Sequence, residues 1–154
     1  MYLQRPLLDL ALLPVSQQQS HSPAPVRLLF REAPPQPAPA PPPPTQTAPA
    51  IKQTIGNYTY YGCQTEATNV RALSSAVYYN YTAMTLEMCF GDCAGAGYKY
   101  WGVEYGGECY CGNSFGAGSV AAPGGNADCS FTCPGNPLEF CGAGNRLSTY
   151  VYTG

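Results

Sequence analysis

The stretch EYGGECYCGN, residues 104–113, sets Cys109 and Cys111 on alternate positions directly after the pair Gly106-Gly107. Alternate residues on a strand share one face, about 6.6 to 6.8 Å apart. The preceding YKYWGVEY, residues 98–105, is rich in aromatic residues, and the glycine pair between it and Glu108–Gly112 marks a hairpin. Upstream, MTLEMCFGDCAGAG, residues 84–97, reads as one short helix, with Thr85 as N-cap, Glu87 in the first turn and Gly95 or Gly97 as terminator. Leu86, Cys89, Phe90 and Cys93 then share a face, and cysteines four apart lie about 6 Å apart along the axis. The two spacings match. They predict that the pair Cys89/Cys93 is bridged to the pair Cys109/Cys111 by two adjacent rungs that hold the helix flat on the hairpin.

All eight cysteines of the 154-residue chain fall between Cys63 and Cys141. An even number of cysteines in about one hundred residues points to a disulfide framework made in an oxidising compartment. Asn57-Tyr58-Thr59 and Asn80-Tyr81-Thr82 are acceptor sequences for N-glycosylation and point the same way. Cys63, Cys129, Cys133 and Cys141 are open to three pairings. Twelve of the 13 tyrosines lie from Tyr58 onward, with the single Trp101, so the apolar content suits a stacking surface better than a thick core. Cross-links offset the small core. From Asn57 onward three basic residues face seven acidic ones, a net of −4, which argues against nucleic acid as a partner.

Residues 1–56 read differently. They hold 13 of the 16 prolines, including Pro41–Pro44, and the stretch 33–50 is expected to be a polyproline-type spacer or disordered. We therefore divide the chain into a proline-rich segment, 1–56, and a folded domain, 57–154. MYLQRPLLDLALLPV, residues 1–15, invites a signal-peptide reading, but Asp9 interrupts the apolar run and no clean cleavage site follows; the other reading is an atypical start of a longer chain. No segment reaches the roughly 18 apolar residues needed to span a bilayer.

Tyr61-Gly62-Cys63, Cys89-x3-Cys93, Glu104-Tyr105-Gly106 leading into Glu108-Cys109-Tyr110-Cys111-Gly112-Asn113, Cys129-x3-Cys133 and the ending from Cys141-Gly142-Ala143-Gly144-Asn145-Arg146 to Tyr150 together resemble a WSC domain over residues 57 to 152. The resemblance implies the pairings Cys63 with Cys129, Cys89 with Cys109, Cys93 with Cys111 and Cys133 with Cys141. It also implies a small disulfide-rich α+β fold of PAN/apple type, with a short helix on a small antiparallel sheet. Such domains occur in fungal cell-wall stress sensors, in animal surface receptors and as modules appended to fungal oxidases and glucanases, and are regarded as carbohydrate-binding.

Pyranose C–H faces pack on aromatic rings while Asn, Asp and Glu groups meet the hydroxyls. The candidate carbohydrate-binding residues are Tyr78, Tyr79 and Tyr81 before the helix, with Tyr100, Trp101, Tyr105, Tyr110 and Asn113 on or beside the hairpin. If Cys109 and Cys111 face the helix, Tyr110 faces away and is expected to be an exposed ring; Trp101 reads equally as core or as platform. A glycan on Asn80 would shield Tyr78 and Tyr79. Zinc is not expected: no Cys-x2-Cys occurs and the single His21 lies in the tail. Glu104 and Glu108 flank the turn like a glycosidase pair, but the domain is small for a cleft and they are read as solvated turn carboxylates. Arg146 is expected to be ion-paired to an acidic neighbour.

These features predict a non-enzymatic extracellular or cell-surface module, without cofactor, that binds fungal-wall β-glucan, chitin or xylan through a shallow aromatic face. Its affinity would be raised by neighbouring modules of a longer protein. The alternative is an ectodomain piece of a wall sensor or surface receptor that acts by protein contact.

Overall fold

The computed structural model describes residues 36–43 and 45–154. The leader-like stretch 1–15 and His21 lie outside the described residues. Residues 36–43 and 45–49 contain no helix or strand, and the compact unit spans Pro42–Gly154.

That unit is built on a six-stranded antiparallel sheet. Its strands are β1 (Thr54–Ile55), β2 (Tyr58–Thr65), β3 (Ala76–Tyr79), β4 (Tyr100–Glu104), β5 (Glu108–Gly112) and β8 (Arg146–Tyr152), in the order β1-β2-β8-β4-β5-β3. A separate hairpin joins β6 (Thr132–Cys133) to β7 (Asn136–Phe140). One helix, α1 (Leu86–Gly95), crosses the sheet. The expected boundary at residues 56/57 falls inside the β1–β2 turn. Residues before that turn also pack on the unit: Ile55 is buried, Ala50 bridges to Glu139, and the Lys52 carbonyl accepts the Tyr150 hydroxyl at 2.8 Å.

The helix starts where its caps require. Thr85 Oγ1 accepts the Met88 N–H at 3.1 Å, and the buried Glu139 carboxylate accepts the Leu86 N–H at 3.2 Å, placing negative charge at the positive end of the helix. It ends at Gly95, and just beyond it Gly97, with φ +77°, turns the chain so that the Tyr98 N–H returns to the Cys93 carbonyl at 3.2 Å. The buried face carries Leu86, Cys89 and Cys93.

Both predicted rungs are present. Cys89–Cys109 and Cys93–Cys111 have Cα separations of 5.4 and 5.5 Å, and Cys63–Cys129 and Cys133–Cys141 complete the four disulfides. In a chain-entropy account each rung removes about 3 kcal/mol of freedom from the unfolded chain. Cys89, Cys93 and Cys109 sulfurs form a metal-like cluster, but all three are bonded as disulfides and offer no thiolate.

Trp101 pairs with Cys111 and Val103 with Cys109 across the hairpin, so both point toward the helix. Trp101 is fully buried, stacked on Tyr150 with centroids 4.2 Å apart and lying 6.3 Å from Phe90. This residue is core and cannot serve as a platform.

Tyr110 also corrects the expectation. It faces away from the helix, as strand alternation requires, yet it is only 3% exposed. The other face of the sheet has its own cover, Ala72 and Leu73, which cluster with Tyr110 and the β8 residue Leu147 and are bordered by Tyr100 and Phe115. The Arg71 guanidinium lies 4.9 Å from the Tyr110 ring centroid. Arg146 is paired to Asp128 at 3.2 Å, closing the last strand onto the 3-10 turn Gly125–Asp128.

Candidate functional site

The β4–β5 turn holds a side chain where a glycine would be expected. Tyr105 has φ +49° and Gly106 φ +74°. A bulky residue in the left-handed region costs roughly 1 to 2 kcal/mol and persists only where its surroundings hold it. The Tyr105 N–H donates to the Ala143 carbonyl at 3.2 Å and the Gly106 N–H to the Cys141 carbonyl at 2.9 Å, so the turn is docked on the segment before β8. The Tyr105 ring is directed outward and is 57% exposed.

Two further segments close around this turn. The Asn80 N–H donates to the Gly107 carbonyl at 2.8 Å, and a Cβ on Gly107 would stand 2.7 Å from the Tyr81 Cα, so only glycine permits this approach. On the other side, the Phe131 N–H donates to the Gly142 carbonyl and the Cys141 N–H to the Phe131 carbonyl, at 2.8 and 2.7 Å. The Cys133–Cys141 disulfide staples that segment.

The rings of Tyr81, Tyr105 and Phe131 border an open groove of about 540 Å³, floored by Gly106 and Gly107 and walled by Ser130, Thr132 and Pro134. Tyr105 and Phe131 centroids are 5.7 Å apart at 56°. Tyr81 is stacked on Tyr79 at 6.2 Å and 16°, and its hydroxyl donates to Glu108 at 2.7 Å. That bond to a carboxylate, with a little burial, raises the Tyr81 phenol to about 12. Glu108 accepts the Tyr110 hydroxyl as well, at 2.7 Å, so one carboxylate links a groove ring to the core.

The sequence model of the WSC domain matches residues 60–143. The chain belongs to the WSC domain family. A Chaetomium globosum protein named "Putative fungistatic metabolite" is 50% identical over 95 residues, which are 60% of this chain and 40% of that protein. A WSC domain-containing protein of Arthroderma benhamiae is 40% identical over 97 residues, 63% of this chain and 13% of that protein. Xylosyltransferase sqv-6 of Caenorhabditis briggsae is 31% identical over 90 residues, 58% of this chain and 11% of that protein. The chain thus spans 40% or less of the length of these relatives. WSC domains are generally carbohydrate-binding or sensor ectodomains and are non-catalytic modules. With four disulfides, this one has the character of a secreted or surface domain. No helix among the described residues is long and apolar enough to cross a membrane.

In this WSC domain the groove continues into polar ground. Tyr105 also borders a second depression of about 260 Å³, with Arg71, Glu104, Glu108 and Asn145. Arg71 and Asn145 border a third, of about 360 Å³, with Glu66 and Asn69. Arg71 Nη1 lies 3.3 Å from Glu104 and 3.5 Å from Glu66. Glu104 is not the solvated turn carboxylate expected: it is 3% exposed, and burial first, then the neighbouring Glu66 charge, push its carboxyl up to about 7, with Arg71 opposing. Glu104 and Glu108 face each other in the β4–β5 ladder. Each is engaged with other protein groups, and the depression beside them is open rather than a cleft around a scissile bond.

The expected candidates therefore separate. Tyr105 lies at the groove, and Tyr79 supports it through Tyr81. Tyr78 is partly exposed on the edge strand β3. Tyr100 belongs to another cluster, 5.7 Å from Tyr61 and 4.8 Å from Phe115, with the Lys99 ammonium 5.2 Å from its centroid. Asn113 is exposed, but its Oδ1 accepts the Lys99 N–H at 2.9 Å and so shapes a turn. Trp101 and Tyr110 are core. Phe131 was not anticipated; its signal is that it is the aromatic residue inside Cys129-x3-Cys133. Arg71 was also missed, although it is the one cation between Lys52 and Lys99.

Proposed function

We propose that this domain is an extracellular or cell-wall module that binds polysaccharide of the fungal wall, β-glucan, chitin or xylan, in the groove bordered by Tyr81, Tyr105 and Phe131. The observation that carries this reading is the set of three rings, 55%, 57% and 44% exposed, brought together by the β4–β5 turn and the two segments hydrogen-bonded to its sides. Apolar rings left in water on a rigid frame suit the C–H faces of pyranoses. The adjoining Arg71, Glu108 and Asn145 offer donors and acceptors for hydroxyls farther along a chain. Because the groove is open, each sugar is only partly buried and single-site affinity is weak; neighbouring modules in a longer protein supply avidity. In that protein the domain has a targeting role and no catalytic one. The WSC-containing relatives of Arthroderma benhamiae, of which the aligned segment is a small part, support an accessory role.

A second reading, a sensor or receptor ectodomain working by protein contact, is favoured by the Tyr61–Tyr100–Phe115 cluster. Tyr61 sits at the bulge between Tyr60 and Gly62 and is 51% exposed, stacked on Phe115.

Co-sedimentation of the full chain with insoluble β-1,3-glucan, chitin and xylan separates the two. Binding to at least one, lost when Tyr105 and Phe131 are both changed to Ala, is the expected result. If nothing sediments with any of the three, the polysaccharide reading is wrong.

A further inference from the structure

The acceptor sequence Asn80-Tyr81-Thr82 lies on the rim of the groove, and its middle residue is one of the groove rings. Asn80 itself touches the floor: its N–H is bonded to the Gly107 carbonyl, and a Cβ on Gly107 would stand 2.9 Å from its own carbonyl oxygen. Its side chain is polarised in a useful way. Oδ1 accepts the Ala83 N–H at 2.9 Å and the Thr82 N–H and hydroxyl at 3.3 Å, whereas Nδ2 takes part in no hydrogen bond among the described residues. The turn so capped runs to Ala83, whose carbonyl a Cβ on Gly135 would meet at 2.4 Å, beside the groove residue Pro134. Asn80 thus adjoins the groove through its backbone contacts with Gly107 and its neighbour Tyr81, and a substituent on its free amide nitrogen breaks none of these bonds.

We infer that Asn80 carries an N-linked glycan whose first sugars lie over the Tyr81–Tyr105–Phe131 groove, so that the domain's own glycan competes with external polysaccharide. In the attachment step Nδ2 attacks the anomeric carbon of a lipid-pyrophosphate-linked oligosaccharide. The Nδ2–C1 bond forms, the C1–O bond to the pyrophosphate breaks, and the displaced amide proton leaves with the lipid pyrophosphate. The glycan is itself a ligand of the class that the aromatic groove takes; this part of the inference rests on the polysaccharide reading above. Tethering makes the competition intramolecular, at a high effective concentration. Asn57, exposed in the β1–β2 turn beside Tyr58, Tyr98 and Tyr152, provides the internal comparison, because a glycan there is bordered by other residues.

The test uses the full chain directed into the secretory pathway of a eukaryotic host, as wild type and as Thr82→Ala, which removes the acceptor sequence while keeping Asn80. Glycopeptide mass mapping reads occupancy, and hydroxyl-radical footprinting reads solvent access to Tyr105 and Phe131. The expected result is a glycan on Asn80, with both rings oxidised several-fold more slowly in wild type than in the variant. If the groove is open in about a tenth of glycosylated molecules, the variant also binds insoluble glucan about tenfold more tightly. A bare Asn80 on secreted chain glycosylated at Asn57 overturns the inference, and so does a glycan on Asn80 that leaves the oxidation of Tyr105 and Phe131 unchanged. Ring protection with no polysaccharide retained by either form supports the glycan's position and sinks the polysaccharide reading instead.

Discussion

Replacing Tyr105 by glycine and by alanine separates the two things this residue does. In the folded chain its φ is +49°, a conformation that glycine adopts freely and alanine does not. Net of the greater freedom glycine has when unfolded, Tyr105→Gly is expected to be about 1 kcal/mol more stable than Tyr105→Ala. Both variants lose the tilted contact with Phe131, worth about 0.5 to 1 kcal/mol at an exposed position. Tyr105→Gly therefore lies close to wild type in stability and Tyr105→Ala about 1 kcal/mol below it. Binding behaves otherwise. A pyranose covering about 50 Å² of the ring contributes about 1.3 kcal/mol at about 25 cal/mol per Å², so both variants lose about tenfold in affinity. The assays are urea denaturation with the disulfides intact and depletion binding to insoluble glucan. Equal stability of the two variants would refute the argument that the turn holds a strained tyrosine; unchanged binding in both would refute its role as a platform.

Three further outcomes follow from the same geometry. The Glu104 carboxyl is held near 7 in the folded domain against 4.5 for the free group, so the folded state binds the extra proton between those values; stability falls as pH rises from about 4.5 to about 7, by at most about 3 kcal/mol. Glu104→Gln keeps the neutral shape, so denaturation midpoints across that range should lose this slope and exceed wild type at pH 8. Changing Cys93 and Cys111 together to Ala removes one rung and about 3 kcal/mol, read as a lower urea midpoint, while polysaccharide binding under native conditions stays near wild type. Changing Cys133 and Cys141 to Ala costs less stability, about 2.5 kcal/mol for the shorter loop, but releases the segment bearing Phe131 and lowers binding more than the first pair does.

The helix, the hairpin and the rungs between them were legible because each rests on local rules: a Thr cap, a glycine stop, and cysteine spacings of four on a helix and two on a strand. What could not be read was the cover on the far side of the sheet. Ala72 and Leu73 lie in a segment with no strand or helix period, so nothing local showed that Tyr110 would be buried under them. Glu104 looked like a turn carboxylate because its partner Arg71 is 33 residues away. Tyr78 and Tyr79 looked like loop residues because β3 is an edge strand of four residues whose partner, β5, comes about thirty residues later. Of the candidate rings, Tyr105 could be placed from the hairpin turn, whereas Phe131 reaches the same groove only through the Cys133–Cys141 staple and hydrogen bonds from the segment before β8.

The most direct test of the groove is an amide chemical-shift titration of the unglycosylated full chain with soluble β-1,3-glucan and xylan oligosaccharides. Shifts concentrated at Tyr81, Tyr105 to Gly107 and Ser130 to Pro134, extending toward Arg71 and Asn145 with longer oligosaccharides, are the predicted result. Shifts centred on Tyr61, Tyr100 and Phe115, or none with any sugar, would contradict it.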